Sequence, residues 1–107
     1  MLSNSYVMAQ VKKVLPLGET DLYDDKMEIL IAGAISKLRT EGVPIDAKDK
    51  DGNDIFQEGF NEAFDYCICI AYQAMKDMDF DIDMNFMTEQ YITRIGTLRC
   101  YISLKQR

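Results

Sequence analysis

The chain predicts a small all-α domain of four helices, and three observations carry that reading. The first is the stretch from Asp21 to Gly42, which holds a helix start signal, an apolar stripe and a stop signal in one segment. The second is a longer apolar stripe from Phe56 to Met78 at three-and-four spacing. The third is punctuation: Pro16 and the Asp-, Lys- and Gly-rich stretch Val43 to Asn53 divide the helical patterns from one another. A short hairpin or an extended segment in the loops completes the expected architecture.

The first helix is expected from about Ser3 to Leu15, with Val7, Val11 and Val14 on one side. Pro16 ends it, because the residue before a proline is driven out of helical geometry. A turn over Pro16 to Thr20 leads to Asp21, which can cap the second helix while Asp24, Asp25 and Glu28 sit near the positive end of its dipole. Met27, Leu30, Ile31, Ala34, Ile35 and Leu38 then share a face, and Gly42 followed by Pro44 closes the helix.

Asp54 is expected to open the third helix, with Gln57 three residues on in the manner of a capping box. Its stripe is Phe56, Phe60, Ala63, Phe64, Cys67, Ala71, Ala74, Met75 and Met78. Within it the run Tyr66 to Tyr72 is apolar all round, and such a helix is either central in its fold or covered by another molecule. Both readings stand at this point: a neighbouring subunit over part of the surface, or a core helix.

A connector follows in which Asp77, Asp79, Asp81 and Asp83 alternate with Met78, Phe80, Ile82 and Met84. Alternation is a strand rhythm; the plainer reading is an acidic loop with a few anchoring side chains. The fourth helix should begin near Asn85 or Thr88, with Met87, Tyr91, Ile95, Leu98 and Ile102 as its stripe. A terminal strand is the alternative, because Leu98, Cys100, Ile102 and Leu104 also alternate with Arg99, Tyr101, Ser103 and Lys105. Gly33, Gly59 and Gly96 fall inside expected helices, where glycine costs about 1 kcal/mol against alanine. That cost predicts close approach of another backbone, from within the domain or from a partner.

Size and composition bound the rest. A chain of 107 residues is expected to form one domain, residues 1–107, with a sufficient but modest core. Apolar residues make up 48%, which separates it from a disordered chain, and no apolar run reaches the ~18 residues that cross a bilayer. The start of the chain has no basic patch and no apolar signal core, and three cysteines without disulfide spacing suit a reducing compartment. Residues 1–83 hold eight Lys/Arg against seventeen Asp/Glu, a net charge of −9, whereas residues 84–107 carry +3. An acidic body argues against broad contact with nucleic-acid phosphates, and a basic terminal segment suits an acidic partner or the next copy of the same chain.

The candidate chemistry is sparse. Ala47 to Glu58 imitates a calcium-binding EF-hand when Gly52 is aligned with its glycine, which puts Asp49 and Asp51 at the third and fifth positions and Glu58 at the twelfth. Ala47 replaces the first ligand and Asp54 stands at a usually apolar position, so the reading is a solvated loop with an Asp-Gly turn, flanked by Ile45 and Ile55. Cys67 and Cys69 point roughly 200° apart on a helix and read as core residues rather than a metal pair. The chain has no histidine, hence no Ser–His or Cys–His pair, and no glycine-rich phosphate loop. No catalytic residue, metal or cofactor is expected, and the chain is not expected to be an enzyme.

In the second helix, Asp21-x-x-Asp24-x-x-Met27-x-x-Leu30-Ile31-x-x-Ala34, with Gly42 at the break, resembles the head–tail connector proteins of tailed bacteriophages, also called head-completion or adaptor proteins. The layout is similar over nearly the full length: short helix, Pro/Gly turn, acid-capped second helix, polar loop, long apolar third helix and C-terminal helix. The resemblance implies a structural virion protein at the head–tail interface, assembled in the host cytoplasm as a homo-oligomeric ring of about twelve copies. Such a ring lies below the portal protein, extends the DNA channel without sequence-specific binding, and offers a platform to tail or stopper proteins; no membrane is involved. Under it, Asp24 and Asp25 would be surface acids and Leu30, Ile31 and Ala34 core positions. The candidate portal or subunit interface is then Arg94, Arg99, Lys105 and Arg107 with Phe80 and Ile82, and Asp77, Asp79, Asp81 and Asp83 form a candidate acidic channel or partner surface. The alternative from another class is a small acidic helical regulator, a DNA mimic whose aspartates engage a basic enzyme with strong salt dependence.

Overall fold

Ser3 starts the first helix. Its hydroxyl accepts the N–H of Tyr6 at 3.2 Å and its carbonyl accepts that of Val7 at 3.1 Å, the geometry of an N-cap, and α1 (Asn4–Val14) follows with Val7 and Val11 buried. The computed structural model describes residues 2–14, 24–78 and 84–107. The other helices are α2 (Asp24–Thr40), α3 (Asn61–Met78) and α4 (Met84–Lys105). The fold is a small four-helix, all-α domain, and among the described residues there is no strand.

The centre of the domain is α3. Helices α1, α2 and α4 all pack on it, and α1 also touches α2, where Lys12 pairs with Asp24 at 2.6 Å. Every residue from Tyr66 to Ala71 is buried, so the run that is apolar all round is covered within one chain. This decides between the two readings of that run: it is a core helix, and no neighbouring subunit is needed to cover it. Both Cys67 and Cys69 are buried there as core residues.

The stop of α2 is a Schellman motif. Val43 N–H donates to the Leu38 carbonyl at 2.9 Å and Gly42 N–H to that of Arg39 at 3.1 Å, with Gly42 at φ 87°. Val43 and Leu38 are both fully buried, which supplies the apolar contact that accompanies this cap. Met27, Ile31, Ala34 and Leu38 are buried as the spacing predicts, with Leu30 and Ile35 packed at the edge of the core.

Three expectations are corrected. The third helix starts at Asn61, not Asp54. Gly59 sits at φ 89°, a left-handed conformation that no helix runs through, and Asp54 instead pairs with Lys48 across an isolated antiparallel bridge. Gln57 donates its side-chain amide to the Asp54 carbonyl rather than closing a capping box. Phe60 and Phe64, expected in the stripe, are exposed, Phe60 ahead of the helix and Phe64 in its first turn, while Tyr66, Cys69, Ile70 and Gln73 are buried beside Ala63, Cys67, Ala71, Ala74 and Met75. Finally, a methyl group at Gly33 or Gly96 would meet nothing within 4 Å, so neither glycine admits a close backbone within this chain.

The hairpin in the loop is present only as that bridge, with Asp49 N–H donating to the Asn53 carbonyl at 2.9 Å and Ile55 N–H to that of Ala47 at 3.0 Å. It carries Val43, Ile45, Ala47, Ile55 and Phe56 into the core at one end of the bundle. The Phe56 ring lies 4.8 Å from that of Tyr66. At the other terminus α4 is helical through Lys105, with Ile95, Leu98 and Ile102 buried and Cys100 and Leu104 exposed, which is the helical period and excludes a terminal strand.

The Tyr66 hydroxyl donates to the Val43 carbonyl at 2.8 Å in the buried core. Tyr66→Phe leaves that carbonyl without a partner and is expected to lower stability by about 1–2 kcal/mol, read as a lower urea midpoint at unchanged m-value.

Candidate functional site

The basic residues of the last segment divide into two pairs. Arg94 Nη1 donates to Asp65 Oδ1 at 2.8 Å, each side chain about a third exposed, and ties α4 to α3. Arg99 Nε donates to the Glu41 carbonyl at 2.5 Å, placing a guanidinium at the negative end of the α2 dipole. Both arginines therefore act first inside the chain. Lys105 and Arg107 are exposed at the end of α4, the Lys105 ammonium 5.5 Å from the centre of the Tyr101 ring. The end of α4 is held to the hairpin by Lys50 N–H on the Lys105 carbonyl at 3.3 Å and Gln106 Nε2 on the Lys48 carbonyl at 3.0 Å. Asp77 falls in the last turn of α3 with its side chain outside the described residues, where Asp79, Phe80, Asp81, Ile82 and Asp83 also lie.

Sequence reasoning missed the outward face of α4. Ile92, Thr93, Gly96, Thr97, Cys100, Ser103 and Leu104 are all exposed and none is charged, with Ile92 and Leu104 each 63% exposed. A surface helix normally carries its charges on the side away from the core. Here Arg94 and Arg99 turn to Asp65 and Glu41, and the outward strip is left uncharged over three turns. The signal was in the chain: the period that places Tyr91, Ile95, Leu98 and Ile102 inward also fixes which residues face out.

The hairpin loop uses its carboxylates on itself. Asp49 Oδ1 accepts the N–H groups of Asp51 and Asn53, both at 2.9 Å, and Gly52 turns the chain at φ 83°. Lys48 holds the Asp54 carboxyl below the usual carboxylate range, and Arg39, paired at 2.9 Å, does the same for Asp46. Glu58 Oε1 accepts the Ser3 hydroxyl at 2.7 Å and the Ser3 N–H at 3.1 Å, which lowers its pKa and joins the loop to the cap of α1. Among the described residues, no three Cys, Asp or Glu side chains converge where they could hold a metal ion.

Two cavities open on the surface. One of about 390 Å³ lies between α1 and α2 and is lined by Met8, Asp24, Glu28 and Ile31 among others. The other, about 180 Å³, lies between α2, α3 and α4, with Lys37, Glu41, Tyr72, Gln73, Lys76 and Tyr91 around it. In the second, the Tyr91 hydroxyl donates to Glu41 Oε2 at 3.2 Å, and burial together with that carboxylate raises the phenol's pKa. Among the described residues no helix is long and apolar enough to cross a membrane. No family model, curated protein or solved structure matches this chain.

Two outcomes are expected. Because the lowered Glu58 carboxyl contributes stability above its unfolded pKa, near ~4.3, and loses it as pH falls through the folded value, the stability gap between wild type and Glu58→Gln should close between about pH 6 and pH 3 in urea titrations. Burial pushes the Cys67 and Cys69 thiols up to about 12 while Cys100 is exposed, so a disulfide reagent should modify one thiol in the native protein and all three after unfolding.

Proposed function

We propose that this chain is a structural assembly subunit of the head–tail connector type, which packs against further copies of itself and joins a portal to tail components. The observation that carries the reading is the uncharged outward face of α4, in a chain of which 28% is charged. Exposed Ile92 and Leu104 with Gly96 between them suit contact with protein better than with water. Gly96 adds to this, since its cost in a helix is not offset by any contact inside the chain.

The charge distribution supports the same role. A body of net charge −9 would repel DNA phosphates and let a genome slide past, while the exposed Lys105 and Arg107 offer a basic end to an acidic docking surface. The helical layout is that of the resemblance drawn from the second helix, and the all-α domain is consistent with it. A ring built by one repeated contact is a heterologous assembly, in which α4 of one copy meets a different face of the next.

Quantitative mass spectrometry of purified tailed particles from the source tests the role. About a dozen copies per particle are expected, as a closed ring requires, and absence of the chain overturns the reading. Gly96→Glu gives the matching test of the interface: space at Gly96 is open, so the variant should keep its helical content and unfolding midpoint yet enter particles roughly tenfold less, the effect of a loss of about 1.4 kcal/mol. Equal incorporation would remove α4 as the contact.

A further inference from the structure

We infer that the cavity between α2, α3 and α4 is a binding site for a small organic monocarboxylate, a role beyond assembly. The first observation is Gln73. It is the one buried polar or charged residue among the described residues, 5% exposed, and its side-chain amide lines the cavity with no hydrogen-bond partner among them. The amide faces the cavity rather than being sealed in the core, so a molecule that occupies the cavity can bond to it.

The second observation is the pair of lysines at the mouth. Lys37 comes from α2 and Lys76 from α3, and neither forms an ion pair among the described residues, although the chain carries 18 carboxylates. Glu41 stands in the same wall, but its Oε2 accepts the Tyr91 hydroxyl. Among the described residues, two ammonium groups stand against one carboxylate, a single positive charge that suits a monoanion.

Size and lining set the body of the ligand. Tyr72, Tyr91 and Ile92 supply apolar wall, and the volume of about 180 Å³, open to solvent beside the exposed Ile92, has room for one ring-sized body. The fitting molecule carries a carboxylate for the lysines, a ring-sized apolar body, and one hydroxyl or carbonyl for Gln73, which can donate to or accept from it.

The probe is 4-hydroxybenzoate, titrated into the isotope-labelled full chain and followed by NMR. Saturable shifts are expected at the Gln73 side-chain amide and at Tyr72 and Tyr91, with a Kd below about 10 mM. Benzoate, which lacks the group read by Gln73, should bind at least threefold more weakly, and the double variant Lys37→Met, Lys76→Met at least tenfold more weakly. Both lysines are on the surface; should the double variant nonetheless fail to fold, the benzoate comparison on the wild type decides. The proposal is overturned by shifts that do not saturate, by equal affinity for the two benzoates, by unchanged affinity in a folded double variant, or by inorganic phosphate saturating the same resonances as tightly.

Discussion

The end of α2 is the joint on which the rest of this fold depends. The chain leaving a helix carries carbonyls with no partner in the helix, and here each of the other two long helices binds one just past the end of α2. Gly42 takes φ 87° and closes the Schellman bonds, Arg99 of α4 donates to the Glu41 carbonyl, and Tyr66 of α3 donates to that of Val43. Tyr91 of α4 adds a bond to the Glu41 side chain. A residue with a β-carbon at position 42 would be strained in that conformation and would approach Arg99 Nε at 3.7 Å. The same joint fixes the rotation of α4. With Arg99 turned to α2 and Arg94 to Asp65, these two side chains are drawn to the inner flanks of the helix, and the outward strip from Ile92 to Leu104 is left uncharged.

The chain between α2 and α3 closes the bundle at that joint. A stretch of this length without regular structure is uncommon in a small domain, and it is sustained because it is packed rather than solvated. Ile45, Ala47, Ile55 and Phe56 enter the core, and the bridge at Lys48 and Asp54 brings the two arms together. Its far end is stitched to α1: Glu58 receives the Ser3 hydroxyl and N–H, and Gly59 N–H donates to the Tyr6 hydroxyl at 3.3 Å. Four elements are thereby tied to one irregular segment. Its carboxylates, which imitate calcium ligands in the sequence, are occupied in holding its own backbone and neighbouring cations.

The helices were legible because their apolar spacing is strong, and Gly42 was legible because a glycine followed closely by a proline has few other uses. What the spacing concealed was the start of α3. Asp54 and Gln57 satisfy the pattern of a capping box, yet Gly59 adopts a left-handed φ that depends on how Phe56 and Glu58 are captured by distant residues. Local pattern does not contain that information. The same holds for Arg94 and Arg99, which read as free surface charge until Asp65 and the Glu41 carbonyl are brought beside them from 29 and 58 positions away in the chain. Gln73 is a further case: it lies off the stripe read from the sequence, and only the meeting of three helices puts a cavity in front of it.

Ile92 belongs to two surfaces at once, which links them. It lines the cavity that holds Gln73, and it lies 63% exposed at one end of the uncharged face of α4. A protein that covers this face therefore narrows the cavity mouth beside Lys37 and Lys76. Binding free energies are reciprocal: if such a neighbour changes the affinity of the cavity for an anion by some factor, the anion changes the affinity of the neighbour by the same factor. The sign follows from geometry. A small ligand wholly inside the cavity would leave Ile92 free to pack and would be trapped by the neighbour, whereas one that projects past Ile92 would compete with it. A cavity of about 180 Å³ would favour the first case for a ring-sized acid and the second for anything longer, so under the proposed assembly role the length of the ligand would set the sign of the coupling.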